Sequence, residues 1–142
     1  MKISKSSAWD QSRIFSFLSE NTIPIRLAVT HDKHPLICSV WFSVDAETLV
    51  ISCVSHGKSQ LVKSLMADAR VGFEIALNEP PYKGVRGKGN AKLTQENVSN
   101  TLQEVIVRFL GGTNSNLARW LLGRAEEEYL IKITPSWITS WD

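Results

Sequence analysis

The sequence predicts a mainly β fold with flanking helices, a small barrel of six curved, mostly antiparallel strands. Three observations carry that expectation. Six runs rich in Val, Ile, Leu, Phe and Trp recur along the chain. The gaps between the first three are short and turn-like, far below the crossover length that parallel pairing needs. Helix-period segments are few and do not alternate with every strand, which argues against a doubly wound sheet.

Taken in order, Asp10 is placed to cap a first helix carrying Ile14, Phe15 and Leu18 and ending near Asn21. The runs IPIRLAVT, PLICSVWFSV and TLVISCV follow, separated only by HDKH and DAE, so they read as an antiparallel meander. In the second run Leu36, Cys38, Val40, Phe42 and Val44 share one face, and Ile37, Ser39, Trp41 and Ser43 share the other. The first set reads as core. The second, a Trp between two serines, is a face for a ligand or a second subunit. In the third run Leu49, Ile51 and Cys53 look inward, which turns Ser52 outward, toward the place where Lys58 begins a helix. That helix carries Leu61, Val62, Leu65 and Met66 on one face.

RVGFEIAL is the fourth strand, NEPPYKG a loop, and VRGKGNAKLT a fifth strand whose glycines bend it. The stripe Val98, Leu102, Val105, Ile106 and Phe109 predicts a helix stopped by Gly111-Gly112. Leu117, Trp120 and Leu121 mark a shorter helix, EYLIKITP a sixth strand, and SWITSWD the last segment. Repeats and low-complexity tracts are absent, and 142 residues suit a single domain over 1–142.

Bulk composition excludes several classes of function. Sixteen basic and fourteen acidic residues leave a net charge of +2, scattered rather than striped, so nucleic acid is not an expected partner. No apolar run reaches membrane-span length. The start MKISKSSAWDQS lacks the apolar segment of a signal peptide, which predicts a cytoplasmic protein. Cys38 and Cys53 show neither CxxC nor zinc spacing and read as two reduced thiols. His31 and His34 fall in a hairpin turn, where solvated histidines are ordinary, and no metal site is expected. Trp120, Trp137 and Trp141 read as packing residues rather than a platform for bases. No Ser-His-Asp or Cys-His pairing emerges from the residue order.

One stretch does carry chemistry. In VISCVSHGKSQLVKSL an apolar strand runs into Gly57-Lys58-Ser59 and then into a helix. A nucleoside-triphosphate loop would need a Gly five positions before Gly57, and Ser52 stands there. What remains is a helix start with free N–H groups and about half a positive charge. Lys58 adds a full charge, and Ser52, Ser55 and Ser59 add hydroxyls. Such a set suits a single phosphate.

The ordered pieces IPIRLAVT, PLICSVWFSV, LVISCVSHGKSQLVKSLMADARVGFEI, PPYKGVRGKGNAKL and ITPSWITSWD resemble the pyridoxamine 5'-phosphate oxidase-like split-barrel flavin proteins, over residues 23 to 142. The resemblance implies a homodimer holding FMN in two clefts between subunits. It implies that Ser52 and Lys58, flanking Gly57, hold the phosphate, and that Ser39, Val40 and Trp41 run beside the isoalloxazine ring. Tyr82 and Arg86 would approach from the partner subunit. Two departures matter. Many members carry Arg where this chain has Gly57, which asks Arg26 or Arg86 to substitute. The vitamin B6 oxidases also continue into a basic substrate-binding segment that Trp141-Asp142 does not provide, so pyridoxamine phosphate is not an expected substrate. The expected function is therefore an FMN-dependent oxidoreductase acting on another small molecule. Alternatives are a flavin-binding module for storage or sensing, or the same barrel holding a deazaflavin or haem.

Overall fold

The computed structural model describes residues 1–142. In chain order the elements are β1 (Lys2–Ile3), α1 (Gln11–Glu20), β2 (Ile25–His31), β3 (His34–Val40), β4 (Phe42–Val44), β5 (Ile51–His56) and α2 (Gln60–Ala67). They continue as β6 (Arg70–Ala76), β7 (Gly84–Thr94), α3 (Val98–Leu110), α4 (Asn116–Gly123), a 3-10 turn (Ala125–Glu127) and β8 (Glu128–Trp141). Hydrogen bonding orders the sheet β3-β2-β6-β7-β8-β5-β4, with β1 added in parallel to β8. Every other pair is antiparallel.

The two end strands of that order, β3 and β4, are neighbours in sequence with only Trp41 between them. A sheet whose edges are continuous in the chain has to curl round on itself, and the curl makes the split barrel. Its interior is filled from alternate strand positions, among them Leu27, Phe42, Ile51, Phe73 and Ile133. Helix α1 closes the barrel with Ile14, Phe17 and Leu18, and its N-cap Asp10 accepts a hydrogen bond from the Arg13 N–H at 2.9 Å. Helix α2 adds Leu61, Val62 and Leu65 to the same core. Outside, α3 and α4 form a second cluster of Leu102, Val105, Ile106 and Ala118, against Trp41 and Val54. Gly111 ends α3 at a φ of +76°, a backbone that glycine adopts without strain.

Five details differ from the sequence expectation, the first being β1, which with the break at Trp41 makes eight strands rather than six. PLICSVWFSV is two strands broken at Trp41, although Leu36, Cys38, Val40, Phe42 and Val44 all pack inward. The last two segments are one 14-residue strand that passes through Pro135. Pro135 sits opposite Gly89, where the β7–β8 register shifts, so the missing N–H breaks no regular ladder. Met66 is 57% exposed, and Ser64 takes the buried position on that face of α2. Trp120 is 58% exposed rather than packed inside. No helix is long and apolar enough to cross a membrane.

Candidate functional site

Helix α3 packs across the outer face of β4, β5 and β8. One recess opens toward the His56 end of β5 and another toward its Ser52 end. The first, a cleft of about 460 Å³, takes Ser39, Val40 and Trp41 from the β3–β4 junction. Facing them are Val54, Ser55 and His56 of β5, and Leu102 and Leu121 of the covering helices. Trp41 is held flat by stacking on Phe109, with ring centroids 5.5 Å apart and planes within 12°. The middle of the cleft is therefore apolar and planar.

Its β5 end is polar. Ser59 caps α2 by accepting from the Val62 N–H at 3.1 Å, and the Ser55 hydroxyl donates to Ser59 at 2.9 Å. The first turn of α2 brings N–H groups without intrahelical partners to this end. The Lys58 N–H donates to His56 Nδ1 at 3.0 Å, which leaves the ring proton on Nε2, 3.6 Å from the Glu127 carboxylate. Glu128, only 3% exposed, accepts from Arg124 Nε at 2.8 Å, and the Arg124 guanidinium lies 4.3 Å over the Trp120 ring. Arg124 and Glu128 both line the cleft.

The structure thus gathers Ser39, Val40 and Trp41 with the start of α2. Lys58 is exposed and stands directly before the cap Ser59, at the rim rather than among the lining residues. Gly57 is pinned by its N–H bond to the Glu127 carbonyl at 2.8 Å. A Cβ there would come to 3.0 Å from the Tyr129 ring and 3.3 Å from that carbonyl, so the glycine makes room for the chain entering β8.

Ser52 is not beside Lys58. It lines the other recess, with Ser43 and Lys132 as its neighbours across the sheet. Strand β5 runs on to His56, and four residues of strand span about 13 Å. The hydroxyls at the strand's end are Ser55 and, one turn on, Ser59.

The remaining sequence candidates lie at another corner. Arg26 and Arg86 line a recess of about 510 Å³ on the outer face of β2, β6 and β7, with Glu74 and Trp137. Arg26 donates to Asn78 Oδ1 at 3.0 Å, and Arg86 lies 4.9 Å over the Trp141 ring. Tyr82 is exposed, and its carbonyl accepts from Trp141 Nε1. Neither arginine reaches the cleft of its own chain. The arginine that does is Arg124, which sequence reasoning missed together with Glu128. The available signal was their i,i+4 spacing after a predicted helix, but the pairing of Glu128 with His56 across β8 and β5 is tertiary.

No protein-family model matches the chain, and no curated protein matches it. Solved structures do. A conserved hypothetical protein from Mycobacterium tuberculosis superposes with a TM-score of 0.82 at 21% identity, covering 100% of this chain and 90% of that one. A protein named F420 reductase gives 0.72 at 17% identity, over 87% of this chain and 94% of the other. A Listeria innocua protein, named as a candidate pyridoxamine 5'-phosphate oxidase, gives 0.70 at 17% identity, over 92% and 96%. The chain therefore has the split-barrel fold of the pyridoxamine 5'-phosphate oxidase-like proteins.

Proposed function

We propose that this protein binds FMN in the cleft between Trp41 and the start of α2, and that it is a flavin-dependent oxidoreductase for a small molecule. The observation that carries the proposal is the cleft's division into a flat apolar middle at Trp41 and a polar end at Ser55, Ser59 and the first turn of α2. A planar ring system suits the first part and a phosphate the second. Lys58 at the rim supplies a charge to that phosphate, and Arg124 stands nearby as a second cation. Gly57 contributes only its backbone. Bound FMN would supply the hydride and electron transfer, and the chain's own residues bind, orient and shield it.

A second copy of the chain would complete the cleft, bringing Tyr82 and Arg86 to it. This homodimer is supported by the outward-facing corner on which those two residues stand beside Trp141. Ile37 supports it too, a large apolar side chain 62% exposed in the recess that Arg86 also lines. A deazaflavin is the second reading, favoured by the similarity of fold to the protein named F420 reductase.

The test is a paired titration of FMN and riboflavin into wild-type and Lys58→Ala apoprotein, with F420 as a third ligand. Removing one charge-assisted hydrogen bond to phosphate costs about 1.5–3 kcal/mol. Because Arg124 remains in the cleft, the lower end applies, about tenfold in affinity. Riboflavin affinity stays unchanged. Equal FMN affinity in both proteins refutes the phosphate role, and preference for F420 moves the assignment to the deazaflavin. Flavin-loaded protein that oxidises neither NADH nor NADPH, with any acceptor, would leave a binding module.

A further inference from the structure

Across the outer face, β4, β5, β8 and β7 set four side chains in one row. Ser43 is the register partner of Ser52, Ser52 of Lys132, and Lys132 of Lys92. Direct partners in an antiparallel pair project to the same face, with Cβ atoms about 5 Å apart. Like charges placed directly opposite destabilise a sheet, and neither lysine is neutralised within the molecule. The ion pairs of the protein involve other residues throughout.

Two carboxylates border the recess that this row floors, Asp45 and Glu104. Asp45 is engaged in its own turn, accepting from the Glu47 N–H at 3.0 Å, and from the Thr48 N–H and hydroxyl at 2.8 Å each. Glu104 is exposed on α3 and makes no ion pair. A separate observation comes from Ser43. It is 7% exposed, it opens on the recess, and its hydroxyl has no hydrogen-bond partner in the protein. The hydroxyl reaches solvent only through that recess, so it is free to donate to whatever occupies it.

We propose that this recess, of about 480 Å³, binds the phosphate group of a small phosphorylated molecule. Lys92 and Lys132 flank the oxyanion, and the Ser43 and Ser52 hydroxyls donate to it. The site lies toward the opposite end of β5 from the flavin cleft and does not depend on that cleft's occupant.

Inorganic phosphate, titrated against chloride at constant ionic strength and followed by backbone amide shifts, reads the two regions separately. Saturable shifts are expected at Ser43, Ser52, Lys92 and Lys132. The double variant Lys92→Met/Lys132→Met should bind phosphate there at least tenfold more weakly, and Ser43→Ala several-fold more weakly. Lys132→Met alone should melt higher than wild type in chloride, because the repulsion is gone, and should lose the rise in Tm that phosphate gives wild type. Unchanged affinity in the double variant overturns the proposal. So do shifts confined to the start of α2, or an effect that chloride reproduces.

Discussion

Arg108 anchors the helix that covers the cleft, and its removal is the sharpest test of how the outer layer is held. From α3 its guanidinium donates to the Phe42 carbonyl at 3.1 Å, the Asn21 carbonyl at 3.1 Å and the Leu18 carbonyl. The last two belong to the C-terminal end of α1, whose final carbonyls have no intrahelical partner and whose dipole favours a cation. No basic residue stands in the last turn of α1 itself, so Arg108 supplies that cation from another helix. The guanidinium also lies 4.5 Å over the Phe42 ring. Burial weakens its hold on the proton, and its Nε has no partner, so part of the gain is offset by desolvation. Charge-assisted bonds contribute about 1.5–3 kcal/mol each before that offset. The net loss in Arg108→Ala should be about 3 kcal/mol, or about 12 °C in Tm for a domain of this size. Arg108→Lys, with a compact head that cannot fork to three carbonyls, should recover less than half. Urea melts followed by tryptophan fluorescence give the free energy, with an unchanged slope confirming one cooperative transition. Arg119→Ala is the control, since its bond to the Asn114 carbonyl is exposed and its loss should stay within about 0.5 kcal/mol. A loss in Arg108→Ala no larger than in that control would mean that water serves the three carbonyls as well as Arg108 does.

Three further outcomes are expected. Gly57→Arg, which installs the residue that the family resemblance places there, should lower stability by about 1 kcal/mol, because its Cβ meets the Tyr129 ring at 3.0 Å. Melts of Gly57→Arg with and without Tyr129→Leu check this, and a variant as stable as wild type would show that the ring yields freely. Cys53 is fully buried, and burial pushes its thiol up to about 12, so a thiol reagent at pH 8 should modify Cys38 alone until urea unfolds the chain. Two thiols reacting in the native protein would contradict that burial. Asp68 is held down to about 2 from 3.8 by bonds from Arg70, at 3.0 Å from Nε and 2.7 Å from Nη2. A depressed carboxylate stabilises the fold above its ordinary value and loses that contribution as pH falls through the lowered one. Asp68→Asn should therefore flatten the decline in stability between about pH 4 and pH 2, and the same slope in both proteins would deny the pair any role.

The fold was legible where local chemistry decides it. Asp10 before Ile14 and Leu18, and Gly111 after Phe109, mark their helices because capping and period act within a few residues. The break at Trp41 was not legible, for a definite reason. Strand periodicity reports which way a side chain faces, not which strand receives its hydrogen bonds. Val40 and Phe42 keep the same inward face on both sides of the break, so the pattern continues while the partner changes from β2 to β5. Pro135 misleads in the opposite sense. A proline in a strand-like run reads as a stop, yet the register shift opposite Gly89 removes the need for its N–H.

The candidate site divides along the same line. Alternation alone turns Ser39 and Trp41 to the outer face, the family resemblance adds Val40, and Lys58 follows from the helix start that Ser59 caps. Ser52 was paired with Lys58 because the apolar run TLVISCV ends near it, but a strand's hydrogen bonds do not stop where its apolar residues do. Ser55 and His56 extend β5 by pairing with Tyr129 and Glu128. That extension moves the polar end of the cleft away from Ser52. It also brings the turn before β8 against Gly57, where a Cβ would press on the Tyr129 ring at 3.0 Å. The glycine and the arginine at the cleft are then two aspects of one arrangement. The segment that crowds a side chain at position 57 also carries Arg124 to the cleft, held by Glu128 and Trp120. A motif read along the chain registers only the missing charge. The β5–β8 register is what locates its neighbour in space.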